Sequence, residues 1–481
     1  IAWFADSDEG WVLDDKKPAL ELIRRKGVVE LRVHFINKPG PLPGPRKIVF
    51  GLQATPTKPM MQNPSWRRIN SLVGKAPDFL RYHTLGATFY WGGIDFDVFP
   101  RDKDTSIYDK FAEIRRTGKE DRPFFENWLR KYGPDGQRDK MWDAHIWSGV
   151  SSFKGQPDLM IPYTNARGCG KCDDFTVFQD EWLVSDYTSR AATSVAYDID
   201  PVPSFQDFAL YYFEKMLDSG AFDGLYFDNT FLKANKNIVG GGAYVRDDGT
   251  LQPACGLWTM RDYLKRCAIL CWQKGRPFVN ISHMTNTQIV PINTWAGINL
   301  DWEWKYGDTD AHDRFAEDYV RATSIGLQTG SRPTVLLGLH ETKKELQPWV
   351  ARTCLAWCLV HEICPAWTYG EPFQTVFKKL YDFGYGTDAC RVIRYWEKQP
   401  IRIEGIEAKA LVVAKKGAVA VFITNIGQDG VCRLILDKSL GLAPDAGAVE
   451  AERGGAIERT GDSAYSFPLK RHDFTLLLIG Q

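Results

Sequence analysis

The sequence predicts a multidomain α/β protein: a central (β/α)8 TIM barrel flanked by an N-terminal β-sandwich portion and a C-terminal antiparallel β-sandwich. Three observations predict it. At 481 residues the chain exceeds what one hydrophobic core usually holds. Both ends alternate apolar and polar residues with a period of two. Between them, short apolar runs alternate with helical patterns, the mark of parallel strands joined by helices. The expected domains are 1–75, 76–388 and 389–481.

Residues 1–60 carry the first alternation, in Val29, Leu31, Val33 and Phe35 and then Ile48, Phe50 and Leu52, around a Pro/Gly-rich turn at 38–46. This reads as the end of a β-sandwich whose earlier strands precede Ile1, followed by a Pro-rich linker at Pro56, Pro59 and Pro64. Residues 83–91, closed by Gly92-Gly93, read as the first barrel strand. A long excursion over 95–152 follows, with one helix near 107–116, and long insertions in compact domains tend to be functional. Strands two and three are expected at 159–165 and 194–199. Phe205, Phe208, Ala209, Tyr212 and Met216 fall at helical spacing over 205–219.

The fourth strand ends in Phe222-Asp223-Gly224-Leu225-Tyr226-Phe227-Asp228-Asn229. Strands five to eight are expected at 277–282, 298–302, 334–339 and 364–369, separated by helices at 257–274, 314–326 and 346–360 and closed by 373–383. From about 394 the period-two pattern returns, at 410–413, 418–424, 432–436 and 474–479.

Parallel barrel strands end at one mouth, so polar residues at their C-terminal ends converge there. Asp228 stands where its apolar run stops, because a buried strand interior cannot hold an unpaired carboxylate cheaply. The same Asp-Asn-Thr also suits a helix cap or turn. On the sixth strand, Asp301-Trp302-Glu303-Trp304 offers two carboxylates, and indoles beside Glu303 would desolvate it and favour its protonated form. Carboxylates facing each other across a mouth are what glycoside hydrolysis requires. Asp228 is therefore expected as nucleophile or charge stabiliser and Glu303 as general acid/base. Asp301 is the neighbouring candidate, and one of the pair is expected to be spent on a salt bridge. The other strand-end residues are expected to contact sugar: Asn229, Trp91, Asn165, Arg167, Asn280, His283, Trp302, Trp304, His340, Trp367 and Tyr369. A lone histidine at a strand end is more often a hydrogen-bonding group than a metal ligand, and no metal or cofactor is expected.

Two stretches resemble a known family. Trp3-Phe4-Ala5-Asp6-Ser7-Asp8-Glu9-Gly10-Trp11, and Phe50-Gly51-Leu52-Gln53-Ala54-Thr55-Pro56-Thr57-Lys58-Pro59 followed by Trp66-Arg67, look like the sandwich-to-barrel junction of the glycoside hydrolase family 123-like proteins. The resemblance implies the same three-part architecture. That family carries an adjacent Asp-Glu pair after the fourth strand, the Glu as acid and the Asp supporting attack by the substrate's own acetamido group. Here the pair is Asp228-Asn229, so N-acetyl-β-galactosaminidase activity does not carry over and the acid falls to Glu303 or Asp301.

Composition narrows the partners. Lys+Arg and Asp+Glu are equal at 60 each, which removes the electrostatic footprint of a nucleic-acid binder. Seventeen Trp, 19 Tyr and 27 Phe exceed what core filling needs and suit a neutral oligosaccharide or polysaccharide. No stretch approaches the roughly 20 apolar residues of a membrane helix. Dinucleotide, Walker, zinc-protease and serine-hydrolase motifs are absent from the sequence. Cys267/Cys271 and Cys354/Cys358, four apart on helices, read as buried free thiols, while Cys169/Cys172 reads as a disulfide or half a zinc site, with too few further ligands for zinc. The chain begins mid-domain, which fits a periplasmic or extracellular protein shorn of its leader; oligomeric state leaves no trace in the sequence. Two other classes compete with a glycosidase: a non-catalytic carbohydrate-binding barrel, favoured by the missing Glu, and a polysaccharide lyase, which would use Arg167, His283 and His340 around a uronate.

Overall fold

The computed structural model describes residues 1–41, 44–60, 82–84, 104–132, 159–161, 163–170, 173–190, 195–276, 280–283, 288–304, 308–337, 342–366 and 372–480, with the backbone alone for some of these, 301–304 included.

Six strands form one parallel sheet in the order Cys364–Ala366, Arg332–Leu337, Ile298–Trp304, Ile281–His283, Tyr226–Asp228, Tyr163–Asn165. A seventh, Tyr82–Thr84, runs parallel to Leu159–Ile161, one residue upstream of Tyr163, so the row continues past its last member. Seven of the eight expected strands thus lie in parallel register. The exception is Val195–Ile199, which pairs antiparallel with Gly168–Gly170 and Leu183–Arg190 in a separate three-stranded sheet. The physical reason is the helix Asp173–Trp182: it is joined directly to Leu183–Arg190, and a short return from that strand leaves its successor antiparallel. Among the described residues no pairing joins Cys364–Ala366 to Tyr82–Thr84.

Helices cover the sheet because its strands alternate between two buried faces. Phe227 meets Phe213 and Tyr263 at ring separations of 6.1 and 5.5 Å, so it faces the helices Pro203–Asp218 and Leu257–Gln273. Tyr226 and Asp228, one residue away on either side, face the opposite way. In the excursion, the expected helix is present as Ser106–Thr117, and a second, Arg122–Tyr132, buries Phe125 and Trp128 beside it.

After the helix Phe373–Phe383, two antiparallel sheets of five and four strands enclose a common core. Ala418–Asn425 is buried along its whole length. Val419, Val421 and Ile423 meet the four-stranded sheet, while Ala418, Ala420 and Phe422 join Leu355 and Leu359 of the helix Gln347–Val360. Arg352 of that helix is bound by Glu452 at 2.7 Å, by Asp473, and by the Phe474 carbonyl at 3.2 Å, which ties the helix to the C-terminal sheets.

At the N-terminus the described strands form two two-stranded sheets, Ala2–Phe4 with Gly51–Gln53 and Leu20–Arg25 with Val28–Val33. Trp11 and Phe35 pack edge to face at 5.0 Å. Val29 and Leu31, by contrast, are exposed, so the alternation that marked the hairpin does not mark a covered face. Cys267, Cys271, Cys354 and Cys358 are free and buried, as their spacing predicts; Cys169 is likewise buried, and its expected partner Cys172 lies outside the described residues.

Candidate active site

Asp228 closes its strand level with Asn165 on one side; on the other, the pairs Tyr226↔Ile281 and Phe227↔Ser282 bring it level with His283. His283 in turn pairs with Leu300, and Leu300 with Thr334. One face of the sheet therefore carries Asn165, Asp228, His283, Leu300 and Thr334 across five strands. At Asn165, Asp228 and His283 this is the C-terminal end of the strand, while Leu300 and Thr334 lie within strands that run on to Trp304 and Leu337.

The Asp228 side chain is 20% exposed and lies 3.0 Å from His283 Nδ1 through Oδ1. Oδ1 also accepts the Asn229 backbone N–H at 2.8 Å, while Oδ2 takes the Asn229 amide at 3.4 Å. Asn229 reaches that position with φ +57°, a left-handed conformation that asparagine tolerates better than most residues. Tyr226, two residues before Asp228 on the same face, brings its hydroxyl to 2.7 Å from the same Nδ1. Thr230 fixes the turn that follows, accepting or donating at Ser282 Oγ and donating to the His283 carbonyl.

The remaining expected residues divide. Asn165 accepts the Arg167 backbone N–H through Oδ1 at 2.9 Å, and the Ala166 N–H donates to the Asp228 carbonyl at 2.8 Å, so the 165–167 turn is sewn to the Asp228 strand. Arg167 is 3% exposed: its Nε donates to the Phe231 carbonyl and its Nη1 lies 3.5 Å from Asp200 Oδ1. Burial pulls the guanidinium down and pushes the Asp200 carboxyl up, each charge opposing that effect in the other. Asp198 pairs with Lys233 beside them. Asn280 is buried at the N-terminal end of its strand, where Oδ1 accepts the Leu225 N–H at 3.0 Å, and so it does not join the mouth. The described strand spans Ile281–His283, and 277–279 of its expected run lie outside the described residues.

For Asp301, Trp302, Glu303 and Trp304 the backbone carries one informative feature. Leu300 pairs with Thr334 but Glu303 with Leu336, three steps against two, so the strand holds a β-bulge between them. An odd step would put position 303 on the face opposite Leu300. The extra residue restores position 303 to the face shared by Asp228 and His283. Trp91, His340, Trp367 and Tyr369 lie outside the described residues.

Tyr226 is the residue the sequence reading missed. It sits inside an apolar run and reads as core, although its spacing of two from Asp228 was a signal that both share a strand face. Among the described residues, the one group of possible metal ligands is Asp310, Asp313 and His472, whose ligand atoms lie within 4.8 Å of one another. His472 belongs to the C-terminal sheet region, and Asp310 caps the helix Ala311–Arg314 that follows the strand Ile298–Trp304. There Arg471 pairs with Asp313 and His472 with Asp310, each at 2.7 Å.

No family model and no curated protein sequence matches this chain. Among solved structures, the matches include sugar-processing enzymes. A noncanonic maltogenic alpha-amylase from Thermotoga neapolitana is 11% identical, covering 83% of this chain and 98% of its own, with a TM-score of 0.42. A GH27 β-L-arabinopyranosidase from Geobacillus stearothermophilus is 13% identical over 69% of this chain and 76% of its own, with a TM-score of 0.43. An alpha-amylase from Geobacillus thermoleovorans, solved with acarbose, is 9% identical over 86% of this chain and 99% of its own, also at 0.43. Likenesses this loose carry no argument about activity, which rests on the site itself.

Proposed function

We propose that the chain is a glycoside hydrolase whose parallel strands close into a (β/α)8 barrel, with domains at 1–75, 76–388 and 389–481. Asp228 is the nucleophile or charge stabiliser and Glu303 the general acid/base, with Asp301 as its neighbour. The observation that carries the reading is Asp228 itself: a partly exposed carboxylate at the C-terminal end of a parallel strand, whose Oδ1 accepts the Asn229 N–H and lies 3.0 Å from His283 Nδ1. The bulge that returns position 303 to the same face supports Glu303 over Asp301 as its partner. Glu303 protonates the departing glycosidic oxygen while Asp228 meets the oxocarbenium-like charge on the sugar; a carboxyl separation of roughly 5–5.5 Å gives retention and roughly 6.5–9.5 Å inversion. Trp91, Trp302, Trp304, Trp367 and Tyr369 supply stacking faces for an oligosaccharide or polysaccharide met in the periplasm or outside the cell.

Asp228→Asn and Glu303→Gln preserve shape and remove the charge or the proton. Each is expected to lower kcat by about 10³-fold or more on the natural glycan with the thermal melt unchanged. The Glu303 variant keeps its first step on an aryl glycoside whose leaving group needs no protonation; the Asp228 variant does not. Near-normal turnover by Asp228→Asn sinks the reading. A non-catalytic carbohydrate-binding barrel is the second reading, favoured by Asn229 standing beside Asp228 where the resembling family has its acid. It requires wild type and both variants to bind glycan equally and to turn over none. Arg167, committed to Asp200 and the Phe231 carbonyl, gives a lyase no help.

A further inference from the structure

We infer that His283 and Tyr226 are positioning residues that hold Asp228 in its ionised form, a role that rests on the reading of Asp228 as the catalytic carboxylate. Tyr226 and His283 are 2% and 3% exposed, so they stand behind Asp228 rather than beside it in the mouth. Two oxygens converge on one nitrogen: Tyr226 Oη at 2.7 Å and Asp228 Oδ1 at 3.0 Å, both from His283 Nδ1. Among the described residues, Asn165, Leu300 and Thr230 lie in register or contact with them and bear no charge.

A ring nitrogen carries either a proton or a lone pair. With a lone pair, Nδ1 accepts from the Tyr226 hydroxyl, and an ionised Asp228 would face that lone pair across 3.0 Å, which is repulsive. That arrangement suits only a protonated Asp228. With a proton, Nδ1 donates to both oxygens, and Asp228 Oδ1 gathers this donor together with the Asn229 N–H at 2.8 Å. Two donors to one carboxylate oxygen favour its charged form and fix its plane. The tautomer of a buried imidazole and the ionisation of the carboxylate in front of it are therefore one linked state. Tyr226 is the second acceptor in the ionised state and the donor that takes over Nδ1 when Asp228 loses its charge.

The test uses three variants of the full chain, an aryl glycoside, and ring ¹⁵N spectra. His283→Phe keeps the bulk and removes the donor; kcat is expected to fall by about 10²-fold with KM little changed, and the acid limb of the pH–rate profile moves to higher pH. His283→Asn, whose amide nitrogen falls near the Nδ1 position, recovers about tenfold of that loss. A packing role predicts the opposite order, with Phe the better replacement. In the spectra, the His283 signal is assigned by its disappearance in His283→Asn. It shows a protonated Nδ1 in the wild type and shifts to the Nε2–H tautomer in Asp228→Ala, where Tyr226 becomes the donor. An unchanged ring tautomer in Asp228→Ala overturns the inference even if His283→Phe fails to fold. A shifted tautomer in a protein that hydrolyses no glycoside upholds the linkage and sinks the glycosidase reading instead.

Discussion

Lys58 shows what a single side chain does for the end of the molecule opposite the mouth. Its ammonium donates to the carbonyls of Thr294 at 3.1 Å, Ala296 at 3.0 Å and Thr329 at 2.5 Å, and to Ser331 Oγ at 3.2 Å. These four acceptors lie just before the strands Ile298–Trp304 and Arg332–Leu337, so one residue of the N-terminal segment clamps two strand entrances. Met has a stem of similar length and no donor. Lys58→Met is expected to cost roughly 2–4 kcal/mol, since four oxygens lose their hydrogen-bond donor and little water reaches them. Urea unfolding checks this, and a loss below about 0.5 kcal/mol would mean that water replaces the ammonium. The pair Asp228 and Asn229 was legible in the sequence because a polar stop after an apolar run is a local signal. Lys58 was not, because its four partners lie more than 230 residues away.

Between elements, the contact of the helices Ala311–Arg314 and Gln347–Val360 with the turn at 470–474 is built from rings. His312 stacks on His472 at 4.4 Å and 7° and lies 4.5 Å from Trp357, yet neither of its ring nitrogens has a hydrogen-bond partner among the described residues. A phenyl ring keeps the stack and removes two unsatisfied polar atoms. His312→Phe is expected to stabilise the protein by about 1 kcal/mol, seen as a higher melting temperature; a lower one would show that a nitrogen is bonded in solution. Elements of this size were largely legible. Apolar runs with clear stops gave Tyr226–Asp228, Ile298–Trp304 and Cys364–Ala366, because burial on both faces leaves a compositional mark. Val195–Ile199 carries the same mark, and a run of apolar residues says nothing about the direction of its partner. The helix Asp173–Trp182 would have corrected it: Asp173 and Asp174 open it, and Phe175, Phe178 and Trp182 recur at helical spacing.

For the whole molecule, the same ring cluster sets an acid limit. Burial holds the His312 imidazole down at about 2, with His472 and His361 adding to the effect, and holds His361 at about 4, against an ordinary 6.5 for both. Below pH 6.5 the unfolded chain binds protons that the folded chain refuses, so stability falls as pH drops. His361 stops contributing near pH 4 and His312 near pH 2. Each histidine adds up to about 1.4 kcal/mol of lost stability per pH unit. Urea midpoints at pH 7, 6 and 5 are expected to decline, and His312→Phe to remove about half of the slope. A midpoint flat across that range would show both rings already charged in the folded state. Because these residues join the helices Ala311–Arg314 and Gln347–Val360 to the C-terminal sheets, separation of the two is the expected first event in acid.

The bulge in Ile298–Trp304 also bears on how this chain is compared with others. A relative lacking the extra residue would keep positions equivalent to 303 and 304 opposite Leu336 and Leu337, because deletion at 301 or 302 heals the bulge without disturbing the pairs beyond it. Counting from the start of the strand, however, would set that relative's equivalent of position 303 against Trp302. One residue of slack thus decouples sequence position from place on the sheet face, and only a gap at 301–302 aligns the positions that share it.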